Sequence, residues 1–340
     1  MRKFLFILVG ASLLALPLKA QDVEISGLVD VGLVHSLNNP AANAGGAVDS
    51  FDVNLAQLAV SSEADPVGFN LVLDFGNVGQ LDVQNASIEY TTEVGNGLAL
   101  SVGRIDTLAG REVVESSENW FSSNGLLFGL VPTRHTGVRG AYPVSDSLTV
   151  TLGFNNGSDL DVDNNRSKSL EAQIAYSASE EWDIAFTILY GAEDAPGAGG
   201  ESEKDFVLNI VTTYDVSEDL SVYAEYTYLS NEEDRDTNGD GTANGDQTTW
   251  GINLGAQYRF SDVYGASVRF ETVNAEGAAA AADNDQWELT LTGHCWLADN
   301  LEFRVEYRHD DSDNAIFADD SAAGTDQEDN SIGIQLLYTF

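Results

Sequence analysis

The sequence predicts an all-β fold, a closed antiparallel transmembrane β-barrel of about sixteen strands, and three observations carry that reading. Apolar residues alternate with small or polar ones along most of the chain, which is the strand period of two. Connections alternate between short turns and long polar loops, the pattern of barrels that cross a membrane. The faces opposite the apolar ones carry charges that a dry core would not hold. The last ten residues, SIGIQLLYTF, show the first of these plainly. Ile332, Ile334, Leu336, Tyr338 and Phe340 share one face, and Ser331, Gly333, Gln335, Leu337 and Thr339 share the other.

At the other end, Arg2 and Lys3 precede an uncharged run from Phe4 to Leu16, then Pro17 and a Leu18-Lys19-Ala20 cleavage-like site. This reads as a secretory signal peptide over residues 1–20, too short and wrongly flanked for a membrane span, with residues 21–340 forming the exported barrel. No later stretch reaches the roughly 18 uninterrupted apolar residues of a spanning helix. The 15 basic residues include Arg2, Lys3 and Lys19, so the exported chain keeps twelve against 55 acidic residues, a net charge of −43. Such acidity excludes nucleic acid as a partner, because phosphates demand Lys and Arg. Disorder needs low hydrophobicity as well as charge, and here 43% of residues are hydrophobic. Cys295 is the only cysteine, which excludes an intramolecular disulfide framework.

The strand candidates start near residues 23, 51, 67, 82, 97, 134, 147, 167, 181, 204, 219, 248, 263, 286, 300 and 329. Among them, Phe69, Leu71, Leu73 and Phe75 share a face, as do Leu148, Val150, Leu152 and Phe154. Trp182, Ile184, Phe186, Ile188 and Tyr190 form the clearest case, followed by Trp250, Ile252, Leu254, Ala256 and Tyr258. In these two strands aromatics stand at the ends of the apolar face. Eight residues at about 3.3 Å each, tilted near 40°, span roughly 20 Å, close to the apolar band between aromatic girdles. Glu302, Arg304, Glu306 and Arg308 alternate with Leu301, Phe303, Val305 and Tyr307, so the charged face lines water and the apolar face meets lipid. A soluble sandwich shares the strand rhythm but not these two features. An even strand count of sixteen leaves an aqueous channel inside.

Phe128 to Asp159, FGLVPTRHTGVRGAYPVSDSLTVTLGFNNGSD, resembles the OmpL-like β-barrel porin family of Gram-negative outer membranes. The shared features are Pro132, the run His135-Thr136-Gly137-Val138-Arg139, and the hairpin from Leu148 to Gly157; the close likeness covers residues 98–159. It implies an outer-membrane porin for passive passage of small solutes and ions, and names no solute or catalytic residue. In porins the third long loop folds into the lumen. Here that loop is 106–133, the longest and most apolar, with Trp120, Phe121, Leu126, Leu127 and Phe128, and the same inward course is expected. Phe340, with Tyr338 before it, resembles the terminal aromatic that the barrel-assembly machinery reads. Further expected partners are membrane lipid and lipopolysaccharide, and a homotrimer is an open arrangement.

Scarcity makes the basic residues informative. Arg139, Arg269 and Arg304 have lumen parity, and Arg111 lies in the third loop with Glu112, Glu115 and Glu118. Facing rows of opposite charge would form a constriction that sets ion preference; local pairing with neighbours such as Glu302, Glu306 and Glu271 is compatible with it. The acidic loops predict mild cation preference. Asp236, Asn238 and Asp240, followed by Gly241, match the opening of an EF-hand loop, but Gln247 replaces the closing Glu. Calcium is one reading of that segment and an ordinary solvated turn the other; no other cofactor is implied. His35, His135, His294 and His309 lack metal-ligand spacing or a serine motif, and Cys295 has lipid parity, so no enzyme is expected. The alternative function is a non-conducting barrel that serves as adhesin or scaffold through its acidic loops.

Overall fold

The computed structural model describes residues 23–38, 50–63, 66–76, 80–165, 167–192, 204–231, 247–277, 283–318 and 325–340. The expected signal peptide and the Asp236, Asn238 and Asp240 segment lie outside the described residues. Sixteen antiparallel strands close into one barrel. The first eight are β1 (Glu24–Ser36), β2 (Asp52–Ser62), β3 (Val67–Gly76), β4 (Gln80–Thr91), β5 (Ala99–Asp106), β6 (Arg134–Ser145), β7 (Leu148–Asn155) and β8 (Ser169–Ser179). The rest are β9 (Trp182–Gly191), β10 (Asp205–Ser217), β11 (Leu220–Asn231), β12 (Gln247–Arg259), β13 (Tyr264–Glu276), β14 (Asn284–Ala298), β15 (Leu301–Ser312) and β16 (Glu328–Thr339). Each begins within two residues of the position that alternation predicts. Phe317–Ala318 and Thr325–Asp326 form a separate small pair in the last connection. No helix among the described residues is long and apolar enough to cross a membrane; the chain crosses with strands.

Each strand pairs with its sequence neighbours, and β1 pairs with β16 from Leu28 opposite Thr339 to Ser36 opposite Ser331. Closure leaves no free sheet edge, which hydrocarbon would not tolerate because unpaired backbone groups cost several kcal/mol there. The last residue takes part: Gly27 N–H donates to the Phe340 carbonyl and Phe340 N–H to the Gly27 carbonyl, both at 3.0 Å.

Side-chain burial is inverted relative to a water-soluble protein. On β9 the outward Trp182, Phe186 and Tyr190 are exposed, while the inward Thr187 and Leu189 are buried. On β15 the inward Arg304, Glu306 and Asp310 are buried, and Val305 and Tyr307 are exposed. Exposed aromatics gather at two heights. Tyr190, Trp250, Trp287 and Tyr307 stand toward the long loops; Trp182, Tyr214, Tyr258 and Tyr338 stand toward the short turns. These are the girdles of a membrane barrel. A bulge ends β6 at Pro143/Ser145, where a proline that cannot donate to the ladder falls beside the irregularity. Gly255 of β12 leaves room for the ring of Tyr223, which lies directly over it; any Cβ there would collide with that ring.

Closure predicts a heat-modifiable species on gels, migrating differently before and after boiling. Deleting Phe340 removes the final ladder pair with Gly27 and should lower the yield of that species; an undiminished yield would show that the closing strand does not depend on its last residue.

Candidate functional site: the third long loop against the barrel wall

The connection from β5 to β6, residues 107–133, carries one short 3-10 turn at Leu127–Leu130. A segment of this length has many backbone polar groups to satisfy, and the inward faces of the strands supply partners. Glu306 of β15 accepts N–H bonds from Ser122 (2.6 Å) and Ser123 (3.0 Å). Glu271 of β13 accepts from Leu127 N–H at 3.1 Å, and Asn209 of β10 from Gly110 N–H at 3.0 Å. In the other direction, Gln173 of β8 donates to the Leu108 carbonyl at 2.8 Å, and Arg308 of β15 to the Asn124 carbonyl at 2.6 Å. Apolar contacts add to these. Ala109 and Val131 pack against Leu189 and Val207, and Leu127 sits over Gly251.

Arg269 of β13 joins wall and loop most tightly, and it is fully buried at 0% exposure. Its Nε donates to Glu288 Oε1 at 2.5 Å and its Nη2 to Glu288 Oε2 at 3.1 Å, a fork-to-carboxylate pair within the wall. Its Nη1 pairs with Glu112 of the loop and donates to the Ser123 carbonyl at 2.8 Å. The ring of Phe121 lies under the guanidinium, 4.6 Å from its centroid. Glu112 is itself pinned, accepting from Gly125 N–H at 2.7 Å. Gly125 is required here, because a Cβ would occupy the space of the Glu271 carboxylate.

The other predicted site residues have distinct settings. Arg304 is buried and donates to the carbonyls of Ser116 (3.2 Å) and Phe121 (3.3 Å), with Glu302 at 2.8 Å. Arg139 forms a two-bond pair with Glu171, both at 2.9 Å, and donates to the Asp106 carbonyl at 2.7 Å. Arg111 lies against the Trp120–Tyr223 ring pair, 4.9 Å from the first centroid and 5.2 Å from the second. Glu115 and Glu118 stand apart from all of these cations and line a cavity of about 260 Å³ between the loop and strands β2–β5. Among the described residues neither has an ion-pair partner. Tyr338 and Phe340 stack at 6.2 Å on the outer face.

Gln57 and Gln84 escaped sequence reasoning; together with Asp106, the first residue of the predicted 106–133 loop, they line the same cavity as Glu115 and Glu118. Asp74 is nearby, a buried carboxylate accepting from Gln57 at 3.0 Å. Polar residues at inward parity in β2 and β3 were the available signal. His294, which has no metal-ligand spacing or serine motif in the sequence, is hydrogen-bonded to Ser267 at 2.8 Å and Glu302 at 2.6 Å. That chain crosses three strands, and it satisfies groups that are buried in the wall.

A closed sixteen-strand barrel with a polar interior, two aromatic girdles and a long loop bonded to its inward faces is the architecture of an outer-membrane porin. The chain belongs to the family described as "Putative beta-barrel porin-2, OmpL-like", whose model matches residues 22–340. It matches no curated protein sequence. Among solved structures it is similar to the outer membrane channel DcaP of Acinetobacter baumannii, with a TM-score of 0.68, 15% identity, and 94% of this chain and 97% of that chain covered. OmpT of Vibrio cholerae in its trimer form gives a TM-score of 0.66 at 15% identity, covering 94% and 99%. The anion-selective porin from Comamonas acidovorans gives 0.66 at 13% identity, also covering 94% and 99%. At such identities the likeness establishes the fold; the family model establishes membership.

Because Arg269 is buried with two carboxylates, Arg269→Met should destabilise the loop's seating by about 3–5 kcal/mol. Glu306→Ala leaves two loop N–H groups without an acceptor, at about 1–3 kcal/mol each. Both variants should stay heat-modifiable yet be cleaved faster by protease within residues 107–133. Parent-like resistance in both would show that these contacts do not hold the loop.

Proposed function

We propose that the protein is a diffusion channel for small hydrophilic solutes and ions, that the 107–133 loop lies across its lumen, and that the remaining path prefers cations. One observation carries this reading: among the described residues the side-chain carboxylates of Asp106, Glu115 and Glu118 have no ion-pair partner, whereas Arg269, Arg304 and Arg139 are each paired with other carboxylates. Arg269 and Arg304 are covered by the loop, and Arg139 is neutralised by Glu171. Asp106, Glu115 and Glu118 line the cavity on the opposite side. Carboxylates without counter-charges raise the local cation concentration over a Debye length of about 8 Å at physiological ionic strength. The trimer form of the Vibrio cholerae OmpT structure supports a trimeric assembly for this chain too. Tyr338 and Phe340 stand where assembly machinery would meet the closing strand.

Glu115 adds a pH dependence. Burial, and then repulsion from Glu118, Asp74 and Asp106, hold its carboxyl above the ordinary glutamate range, against the opposing Ser117 hydroxyl bond. A raised carboxyl takes its proton before ordinary ones as pH falls. Charge at Glu115 therefore leaves the cavity as pH falls through a range above the ordinary glutamate one.

Planar-bilayer recordings test this. The folded protein should give discrete conductance steps and a reversal potential favouring cations. That preference should weaken as salt rises, and as pH falls through a range above the ordinary carboxylate one. Anion preference at low salt would contradict the role given to the unpaired carboxylates, and a folded barrel without conductance would contradict the channel itself.

A further inference from the structure

The cavity beside Glu115 has a second chemistry that hydrated inorganic ions do not require. Val72 of β3 and Val113, Val114 and Phe128 of the loop line it together with the carboxylates. Val113 is 41% exposed, an apolar side chain held open inside a polar barrel. The bonds that seat the loop do not use Val72, Val113, Val114 or the Phe128 side chain; they run through Ser122, Ser123, Leu127 and Glu112 to β13 and β15, with Leu108 and Gly110 bonded to β8 and β10. Apolar lining inside a pore favours a guest with apolar surface of its own.

The polar half has its own requirement. Asp106 receives bonds from Gln84 (3.3 Å) and Asn85 (3.0 Å), and Glu115 from Ser117 (2.9 Å), all neutral donors. The nearby arginines are committed elsewhere: Arg104 and Arg134 both pair with Asp82, and Arg139 pairs with Glu171. Among the described residues, the side-chain carboxylates of Asp106, Glu115 and Glu118 therefore have no cationic partner; Arg139 reaches only the backbone carbonyl of Asp106. Mutual repulsion among these acids holds the Glu115 carboxyl above its ordinary range, after the larger effect of burial. A cation placed among them would relieve that repulsion, and a volume of about 260 Å³ suits a small molecule.

We infer that this cavity is a selectivity site for small amphipathic organic cations, with the ammonium head against Asp106, Glu115 and Glu118 and the apolar body against Val72, Val113, Val114 and Phe128. The inference rests on the channel reading above and names the solute class that the channel favours. Selectivity arises because a bare inorganic cation uses half of the lining and an aromatic anion is repelled by the other half. Only a guest with both features uses all of it.

The full-length protein in planar bilayers, bathed in potassium chloride, tests the site with three probes at equal concentration: benzyltrimethylammonium, tetramethylammonium and benzenesulfonate. Benzyltrimethylammonium should interrupt the current at the lowest concentration, tetramethylammonium at a higher one, and benzenesulfonate least. The double variant Glu115→Gln/Glu118→Gln should need about tenfold more benzyltrimethylammonium for the same block. Val113→Ser should shrink the difference between the two ammonium probes. If salt conductance is present but benzenesulfonate blocks as well as the cations, or the double variant blocks like the parent, the site is refuted and the channel reading stands. If the folded parent carries no salt current, both fall together. Should a variant lose heat-modifiable folding, the ranking of the three probes on the parent alone decides, and equal potency of the two ammonium ions would overturn the proposal.

Discussion

The loop's seat against the barrel wall centres on one buried guanidinium. Arg269 divides its donors between Glu288 in the wall and Glu112 and the Ser123 carbonyl in the loop, with Phe121 beneath it. A charge at 0% exposure needs its partners in place, since an uncompensated buried ion costs several kcal/mol. Wall and loop therefore complete each other. Without the loop, Arg269 keeps only its wall bonds, to Glu288 and Thr290; without Arg269, Glu112 loses the cation that holds it. The carboxylates of Glu306 and Glu271 extend the same logic to loop N–H groups, which would otherwise lack acceptors.

This seating is one-sided. The strongest loop contacts go to β13 and β15, with others to β8 and β10. The cavity is left between the loop and β2–β5. The same contacts withdraw the arginines from water and leave Asp106, Glu115 and Glu118 facing the gap. The residues that seat the loop and the carboxylates that line the gap thus belong to one segment. A net charge of −40 over the whole chain gives the sign of the field, but the arrangement of a dozen residues gives its location.

How much of this was legible in the sequence follows from the range of each interaction. Strands are written in a period of two, so Trp182 to Tyr190 or Leu301 to Arg308 declare both faces locally, and every strand start was readable. The length and apolar content of 107–133 marked the loop as unlike the others. Parity also placed Arg139, Arg269 and Arg304 inward. Parity cannot say what covers an inward residue, however. Arg269 and Glu112 are 157 positions apart, and only the folded loop brings them together. For the same reason the cavity residues Gln57, Gln84 and Asp106 gave no motif, because they come from different elements. The Ser267–His294–Glu302 chain was hidden likewise, one residue on each of three strands.

Thiol accessibility in conducting channels measures the central arrangement directly. Cysteines placed singly at Val113, on the cavity side, and at Leu127, on the seated side, would be exposed to a charged methanethiosulfonate during recording, with the native Cys295 replaced by alanine in both. Reaction at position 113 should reduce the current stepwise, and position 127 should remain inert while the channel conducts. Rapid reaction at 127 with an inert 113 would place the open path along β13 and β15 and contradict the account.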